Sequence, residues 1–144
     1  MSAALPGMIT SQKIVVVDDN PASLYATSRI LRSANFEVIE AKTGAEALAA
    51  ATQDVGLIVL DINLPDMRGY DVLEALAAPE TADIPVIVHS IDDDRQRALA
   101  AGACQHLVKP ANRDVLAAAA LRFARAPATG PAEPAVNTVA KKTA

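Results

Sequence analysis

The sequence predicts an α/β fold in which five parallel strands alternate with five helices. Two observations predict it. Short apolar runs rich in β-branched residues recur along the chain, and each is followed by a segment whose apolar residues repeat with helical spacing. Such alternation implies right-handed crossovers and one sheet with helices on both faces. The length of 144 residues, of which 51% are hydrophobic, suits a single core.

The predicted strands are short runs typical of strands buried on both faces. The first, KIVVV, stops abruptly at two aspartates, and the third, GLIVLD, ends in another aspartate. In chain order the strands are predicted over residues 13–17, 36–41, 56–61, 84–90 and 104–108. Because each run is followed by a helical pattern and not by a hairpin turn, we expect parallel pairing.

The predicted helices begin at recognisable capping residues. Asn20 precedes Pro21, the arrangement of an N-cap followed by proline at the first helical position, and Thr43 caps the second helix. After the first helix, which starts at Pro21, helices are predicted over 43–53, 69–77, 93–101 and 112–126.

The pattern divides the chain into three parts. Residues 1–11 form a predicted flexible N-terminal segment, and residues 12–126 form the folded domain. Residues 127–144 are rich in alanine, proline and small polar residues without a periodic apolar face, so we expect a flexible tail. No second domain is expected after the first.

Composition excludes several function classes. A formal net charge of −4 provides no general basic footprint, so direct nucleic-acid binding is not expected. The single Cys104 cannot form an internal disulfide, and two histidines with one cysteine are too few for a typical zinc site. No signal sequence or membrane-spanning run is apparent, so the prediction is a cytoplasmic protein without membrane contact.

Polar residues that could carry chemistry stand at the ends of the predicted strands. In an open parallel sheet, ligands bind beyond the carboxyl ends of the strands, so these residues should meet. They are Asp18 and Asp19 after the first strand, Asp61 after the third, Ser90 after the fourth and Lys109 after the fifth.

Three carboxylates in one place repel each other unless a cation neutralises them. The oxygen ligands favour Mg²⁺ or Mn²⁺. With the metal bound, the carboxylate of Asp61 could attack a phosphorus atom, because phosphoryl transfer depends mainly on positioning and charge neutralisation. Ser90 and Lys109 would then supply a hydroxyl donor and a positive charge for the phosphoryl oxygens.

Four motifs carry a resemblance to a known family. VVVDDN, LDINLPDMRGYDVL, PVIVHS and GACQHLVKP, in this order and spacing, are similar to the motifs of the CheY-like receiver domain of two-component response regulators. The similarity covers residues 13–125. It implies a flavodoxin-like (βα)5 fold with strand order 2-1-3-4-5, and a receiver domain that stands alone.

The resemblance assigns a role to each matching residue. It makes Asp61 the phosphoacceptor, Ser90 the switch hydroxyl and Lys109 the phosphoryl contact, with a cis peptide bond between Lys109 and Pro110. The magnesium ligands it implies are Asp19 and Asp61 directly, Asp18 mainly through water, and the backbone carbonyl of Asn63.

Two residues depart from the family pattern. His106 stands where the family usually has tyrosine or phenylalanine as a switch residue, and Ile91 stands where it prefers a small residue. A branched Ile91 could narrow access to the acceptor. Asn63 and Asp92, each two positions after a site residue, are candidate modulators of acyl-phosphate hydrolysis. His89 has no family role and is interpreted as a packing or surface residue.

The resemblance also implies partners. A phosphohistidine of a sensor histidine kinase or histidine phosphotransfer protein would donate to Asp61, and the surface of the fourth helix, fifth strand and fifth helix would bind an output protein. A phosphorylation-linked homodimer is compatible with it. The chain would be a regulator and not an enzyme, catalysing only its own phosphotransfer and dephosphorylation.

Other functions stay open at this stage. One is a receiver-like binding module that is not phosphorylated. The two departures from the family pattern, His106 and Ile91, are compatible with this alternative. Another is a magnesium-dependent aspartyl-phosphate phosphatase, although its D-x-D motif is replaced here by the adjacent Asp18 and Asp19. A flavodoxin-like FMN binder would need glycines and hydroxyls where the first loop has DDNPAS.

Overall fold

The computed structural model describes residues 12–126, so the predicted segments 1–11 and 127–144 lie outside the described residues. Five strands alternate with five helices. The strands are β1 (Lys13–Val17), β2 (Glu37–Ala41), β3 (Val55–Leu60), β4 (Val86–Ser90) and β5 (Gln105–Val108). The helices are α1 (Pro21–Ser33), α2 (Gly44–Ala50), α3 (Gly69–Leu76), α4 (Arg95–Ala100) and α5 (Arg113–Phe123). Between residues 12 and 126, none of the helices has the length and apolarity needed to span a membrane.

The strands form one parallel sheet in the order β2-β1-β3-β4-β5, which confirms the predicted fold and strand order. All six residues of the central strand β3 are buried. The chain first moves outwards from β1 to β2 and then returns past β1 to β3. This reversal opens a crevice at the carboxyl ends of β1 and β3, where open α/β sheets bind their ligands.

Helices cover both faces of the sheet, and alternate residues of each strand pack against one layer or the other. On one face, Val16, Val59 and Ile87 pack with residues of α1 and α5. On the other, Ile58 and Val88 pack with residues of α2, α3 and α4. The sheet is therefore packed on both faces, and its carboxyl edge carries the side chains that follow the strands.

Side-chain caps begin three of the helices. Asn20 accepts a hydrogen bond from the Ser23 amide at 2.9 Å at the start of α1, as its position before proline predicts. Thr43 accepts from the Glu46 amide at 3.0 Å at the start of α2. Asn112 accepts from the Val115 amide at 2.8 Å at the start of α5. These caps set where α1 and α5 leave the loops at the carboxyl edge of the sheet.

Several helix ends differ from the prediction by a few residues. The second helix ends at Ala50 instead of residue 53, and the fourth begins at Arg95 instead of residue 93. The fifth ends at Phe123 instead of residue 126. The last difference has a clear cause, because the chain beyond α5 turns to bind β3.

Arg125 ties the end of α5 to the start of β3. Its amide donates to the Gly56 carbonyl at 2.9 Å. Its guanidinium donates from Nε to the Val55 carbonyl and from a terminal nitrogen to the Gln53 carbonyl, both at 3.2 Å. A Cβ on Gly56 would lie 2.5 Å from the Arg125 carbonyl oxygen, so this close approach requires glycine. The attachment lies at the amino edge of the sheet, away from the crevice.

Candidate functional site

Three carboxylates converge at the carboxyl edge of the sheet. One ligand oxygen from each of Asp18, Asp19 and Asp61 lies within 4.8 Å of the others. Asp18 and Asp61 are buried, whereas Asp19 is exposed. The spacing and the all-oxygen donor set fit a small, hard divalent cation that keeps part of its water shell. The predicted meeting of the residues that end β1 and β3 is therefore observed.

Asp18 is the most heavily hydrogen-bonded of the three. Its carboxylate accepts from Lys109 Nζ at 2.6 Å, from the Ser23 hydroxyl at 2.5 Å and from the Asn20 amide at 2.9 Å. Burial raises the pKa of Asp18, but these hydrogen bonds outweigh burial and hold the pKa below its ordinary value. Asp18 is thus kept ionised. The role of Ser23 is not predictable from the sequence, in which its position in the first turn of α1 is the only signal.

Asp61 has fewer partners. Its carboxylate accepts from Lys109 Nζ at 3.0 Å and from the Asn63 amide at 3.1 Å. Burial raises the pKa of Asp61 more than these two donors lower it, so the net shift is upwards. The pKa of Asp61 is therefore shifted in the opposite direction to that of Asp18.

Lys109 bridges the two buried carboxylates. Burial lowers the pKa of its ammonium, but hydrogen bonds to Asp18 and Asp61 outweigh this effect and raise the pKa above its usual value. Its own amide donates to the Ser90 carbonyl at 2.9 Å, and the peptide bond to Pro110 is cis. The ammonium is therefore a permanent positive charge beside Asp61.

An open cavity of about 310 Å³ lies over Asp61. Asn63, Lys109 and Ile91 are among the residues that line it. Ile91 is 70% exposed, so its side chain stands at the mouth of the cavity and not in the core. Ile91 is thus placed where its size can affect access to the carboxylate of Asp61.

A chain of hydrogen bonds joins the cavity to β5. The Asn63 side-chain amide donates to the Asp92 carboxylate at 3.3 Å, and the Asp92 amide donates to the hydroxyl of the buried Ser90 at 3.3 Å. The Asp92 carbonyl oxygen lies 3.0 Å from Nε2 of His106. His106 is buried, so its ring already points inwards in this structure. The candidate modulators and the candidate switch residue thus form one connected group.

The loop after β3 is closed tightly at its base. The Gly69 amide donates to the Ile62 carbonyl at 2.7 Å, and Asn63 and Arg68 form an isolated antiparallel bridge. A Cβ on Gly69 would lie 2.5 Å from Ile62 Cα and 2.7 Å from the Asp61 carbonyl oxygen. Any larger residue there would therefore press on the backbone of Asp61 itself.

We expect Gly69→Ala to destabilise the domain by about 1–3 kcal/mol, the usual cost of overpacking. The added methyl would meet backbone atoms of Asp61 and Ile62, which cannot rotate away. Urea denaturation of Gly69→Ala and wild type measures the difference in their free energies of unfolding. The same change should displace the carboxylate of Asp61 and weaken Mg²⁺ binding in calorimetry.

Gly44→Ala is the matched control, because Gly44 is also the first residue of its helix. The three atoms nearest to its added methyl all belong to the flexible side chain of Met67, which can move. We expect stability within about 1 kcal/mol of wild type. Equal losses in the two variants would contradict the argument from the backbone of Asp61.

His89 is a buried polar residue on the face of β4 opposite to that of the neighbouring Ser90. It is 5% exposed, and its Nε2 has no hydrogen-bond partner among the described residues. Burial is the main cause that lowers its pKa to about 4, with a further contribution from the charge of Lys109. The interpretation of His89 as a packing or surface residue is now resolved in favour of packing.

Comparison with known protein families gives a direct match. The family model of the response regulator receiver domain matches residues 14–121. Among curated proteins, a segment of 106 residues is 46% identical to the transcriptional regulatory protein PrrA of Mycobacterium tuberculosis. This match covers 71% of the chain and 45% of PrrA, so the chain spans less than half the length of this relative.

Solved structures agree with the fold. The chemotaxis response regulator CheY4 of Vibrio cholerae is 30% identical with a TM-score of 0.72, over 79% of this chain and 99% of CheY4. The receiver domain of the sensor histidine kinase PA1611 from Pseudomonas aeruginosa is 28% identical with a TM-score of 0.72, over 79% and 98% of the two chains. That structure has a magnesium ion coordinated in its active-site cleft.

Proposed function

The chain belongs to the response regulator receiver domain family, and on this premise we propose that Asp61 accepts a phosphoryl group from a phosphohistidine in a magnesium-dependent reaction. The observation that carries the proposal is the position of Asp61, which lies beside Asp18, Asp19 and the ammonium of Lys109 under an open cavity. The donor would be a sensor histidine kinase or a histidine phosphotransfer protein.

The carboxylate cluster would hold the metal ion. We propose Asp19 and Asp61 as direct ligands, Asp18 as a ligand mainly through water, and the backbone carbonyl of Asn63 as a further ligand. Mg²⁺ is the expected ion, and Mn²⁺ has the same preference for oxygen. When bound, the ion neutralises the carboxylates and the developing charge on the phosphoryl oxygens.

Asp61 would act as the nucleophile. One carboxylate oxygen forms a bond to phosphorus, while the bond from phosphorus to the imidazole nitrogen breaks and its electron pair stays on that nitrogen. Lys109 already lies 3.0 Å from the Asp61 carboxylate, so its ammonium needs little movement to meet a phosphoryl oxygen. The hydroxyl of Ser90 would donate a second hydrogen bond.

The charge added at Asp61 would change the hydrogen bonds that join Ser90, Asp92 and His106 at β4 and β5. When the Ser90 hydroxyl turns to a phosphoryl oxygen, its hydrogen bond from the Asp92 amide is disturbed. His106 holds the carbonyl of the same Asp92, so the change reaches β5. We propose that His106 transmits it from this inward position.

We propose that the output surface consists of α4, β5 and α5. It exposes the apolar side chains of Leu99, Val108 and Val115, which suits binding to an output protein or to a second copy of the chain. Direct nucleic-acid binding is not proposed for this domain. We also propose a cytoplasmic regulatory protein whose catalysis is limited to its own phosphorylation and dephosphorylation.

Metal removal is the test of the proposed reaction. We expect acetyl phosphate or a phosphorylated kinase to add one phosphoryl group in Mg²⁺ or Mn²⁺, and a chelator to abolish the adduct, because the carboxylates then stay unneutralised. Intact mass spectrometry measures it. Absence of an adduct with acetyl phosphate and with a panel of kinases would favour the alternative function, a receiver-like binding module that is not phosphorylated.

Ile91→Ala should speed phosphorylation by acetyl phosphate. The side chain is exposed at the mouth of the cavity, so its removal should widen access to Asp61 with little change in stability. The rate comes from intact mass against time. Leu121→Ala is the matched control, because Leu121 is 65% exposed on α5 and does not line the cavity. Equal rates in wild type and Ile91→Ala would rule out the steric effect.

A further inference from the structure

The first turn of α2 is held by a side chain from a different loop. Asp66, in the loop between β3 and α3, accepts from the Gly44 amide at 2.8 Å and from the Ala45 amide at 3.0 Å, one with each carboxylate oxygen. These two amides are among those that a helix leaves without partners in its first turn. Asp66 therefore joins two parts of the chain that are distant in sequence.

Helix α2 also has an N-cap from its own local sequence. The Thr43 hydroxyl, as the N-cap, accepts from the Glu46 amide at 3.0 Å, and the Glu46 carboxylate accepts from the Lys42 amide at 2.8 Å. The local sequence therefore satisfies the Glu46 amide, whereas the Gly44 and Ala45 amides are paired by Asp66. Asp66 thus both pairs these two amides and links the helix to the loop, and the side chain of Met67 from the same loop lies against Gly44.

The same loop carries the proposed metal ligand Asn63. The loop is closed at its base by the hydrogen bond from Gly69 to Ile62 and by the bridge between Asn63 and Arg68. Its tip is held at α2 through Asp66. A loop held at both base and tip has few alternative backbone conformations, and the orientation of the Asn63 carbonyl depends on that backbone.

We propose that Asp66 is a positioning residue for the magnesium site, which it serves by fixing the loop of Asn63 to α2. The inference rests on the proposed function, since it takes Asn63 as a metal ligand. It makes α2 part of the metal site although α2 supplies no ligand. Coupling of this kind is reciprocal, so a bound metal ion should also order the first turn of α2.

Calorimetric titration with Mg²⁺ tests the proposal on the whole chain without any phosphorylation. We expect Asp66→Ala to weaken Mg²⁺ binding by about fivefold, near the lower end of typical coupling between sites. Thr43→Ala is the matched control, because it removes a cap from the same helix turn and leaves the link to the loop intact. It should change the affinity by less than about twofold. Asp66→Asn keeps one accepting oxygen, so its Mg²⁺ affinity should fall between those of wild type and Asp66→Ala.

Hydrogen exchange supplies a second measurement. The Ala47 amide donates to the Thr43 carbonyl and does not contact Asp66, so it reports the order of α2 in every variant. Mg²⁺ should slow its exchange in wild type and in Thr43→Ala, but not in Asp66→Ala. A purely local capping role would leave the response to Mg²⁺ the same in all three.

The outcomes separate this inference from the proposed function. If wild type binds Mg²⁺ and Asp66→Ala binds it equally well, the positioning role is wrong and the metal site stands. If Asp66→Ala and Thr43→Ala weaken binding equally, the effect comes from helix stability and the positioning role is again wrong. If wild type does not bind Mg²⁺, the metal site fails and the inference fails with it.

Discussion

Asp61→Asn is expected to abolish the phosphoryl adduct completely. The amide that replaces the carboxylate is a far weaker nucleophile, and no other described carboxylate occupies the same place between Lys109 and the cavity. Incubation with Mg²⁺ and a phosphoryl donor, followed by intact mass spectrometry, measures the adduct. Peptide mapping of the wild-type adduct should place the added mass on the peptide that contains Asp61.

The fold of this variant should stay intact. Burial raises the pKa of Asp61, so the folded state holds the proton more strongly than the unfolded chain does. Its ionisation near neutral pH therefore lowers stability, and a neutral asparagine avoids this cost. We expect the thermal midpoint of Asp61→Asn to equal or exceed that of wild type.

Asp83→Asn is the matched control for the chemical change. Asp83 is exposed and lies outside the carboxylate cluster, so the same replacement there should leave the adduct unchanged. An adduct that persists in Asp61→Asn would show that another residue accepts the phosphoryl group. Loss of the adduct in both variants would show that the effect is not specific to Asp61.

His89 should make the domain sensitive to acid. Its pKa is lowered to about 4 in the folded state, against 6.5 for an ordinary histidine. Above pH 6.5 both states are neutral at this position and it adds no pH dependence. As the pH falls from 6.5 to 4, the unfolded chain takes up a proton that the folded state does not, so stability is lost. The shift corresponds to a loss on the order of 3 kcal/mol by pH 4.

His89→Leu removes the titrating group and also the buried nitrogen without a partner. Urea unfolding between pH 7 and pH 4 should show a smaller loss of free energy for this variant than for wild type. His106→Leu, which removes the other histidine, keeps His89 and should keep its contribution to the loss. Parallel pH profiles for wild type and His89→Leu would contradict the prediction.

The fold was predictable because its signals are local. Apolar β-branched runs are long enough to identify each strand, and Asn20 and Thr43 identify the starts of two helices. The end of α5 was less predictable, because Arg125 is drawn to β3 by backbone carbonyls that no sequence pattern reveals. Local periodicity therefore predicts elements better than it predicts their last residues.

Part of the candidate site was predictable for a geometric reason. The residues that end parallel strands share one edge of the sheet, so Asp18, Asp61 and Lys109 had to come close. Contacts between loops and helices have no such rule. The hydroxyl of Ser23 on Asp18 and the link from Asp66 to α2 depend on loop conformation, and only the three-dimensional structure shows them.

The attachment of Arg125 to β3 has a mechanical consequence for α5. The helix runs from the carboxyl edge of the sheet, just after Lys109 and Pro110, to the amino edge, where three hydrogen bonds from Arg125 hold it. The C-terminal end of α5 is therefore the end that is held in place. We expect a displacement near Lys109 to tilt the helix about the end held by Arg125 more than it moves the helix along its axis. We expect the largest displacement in its first turn, which follows Lys109 and Pro110 in the chain, and the smallest in its last.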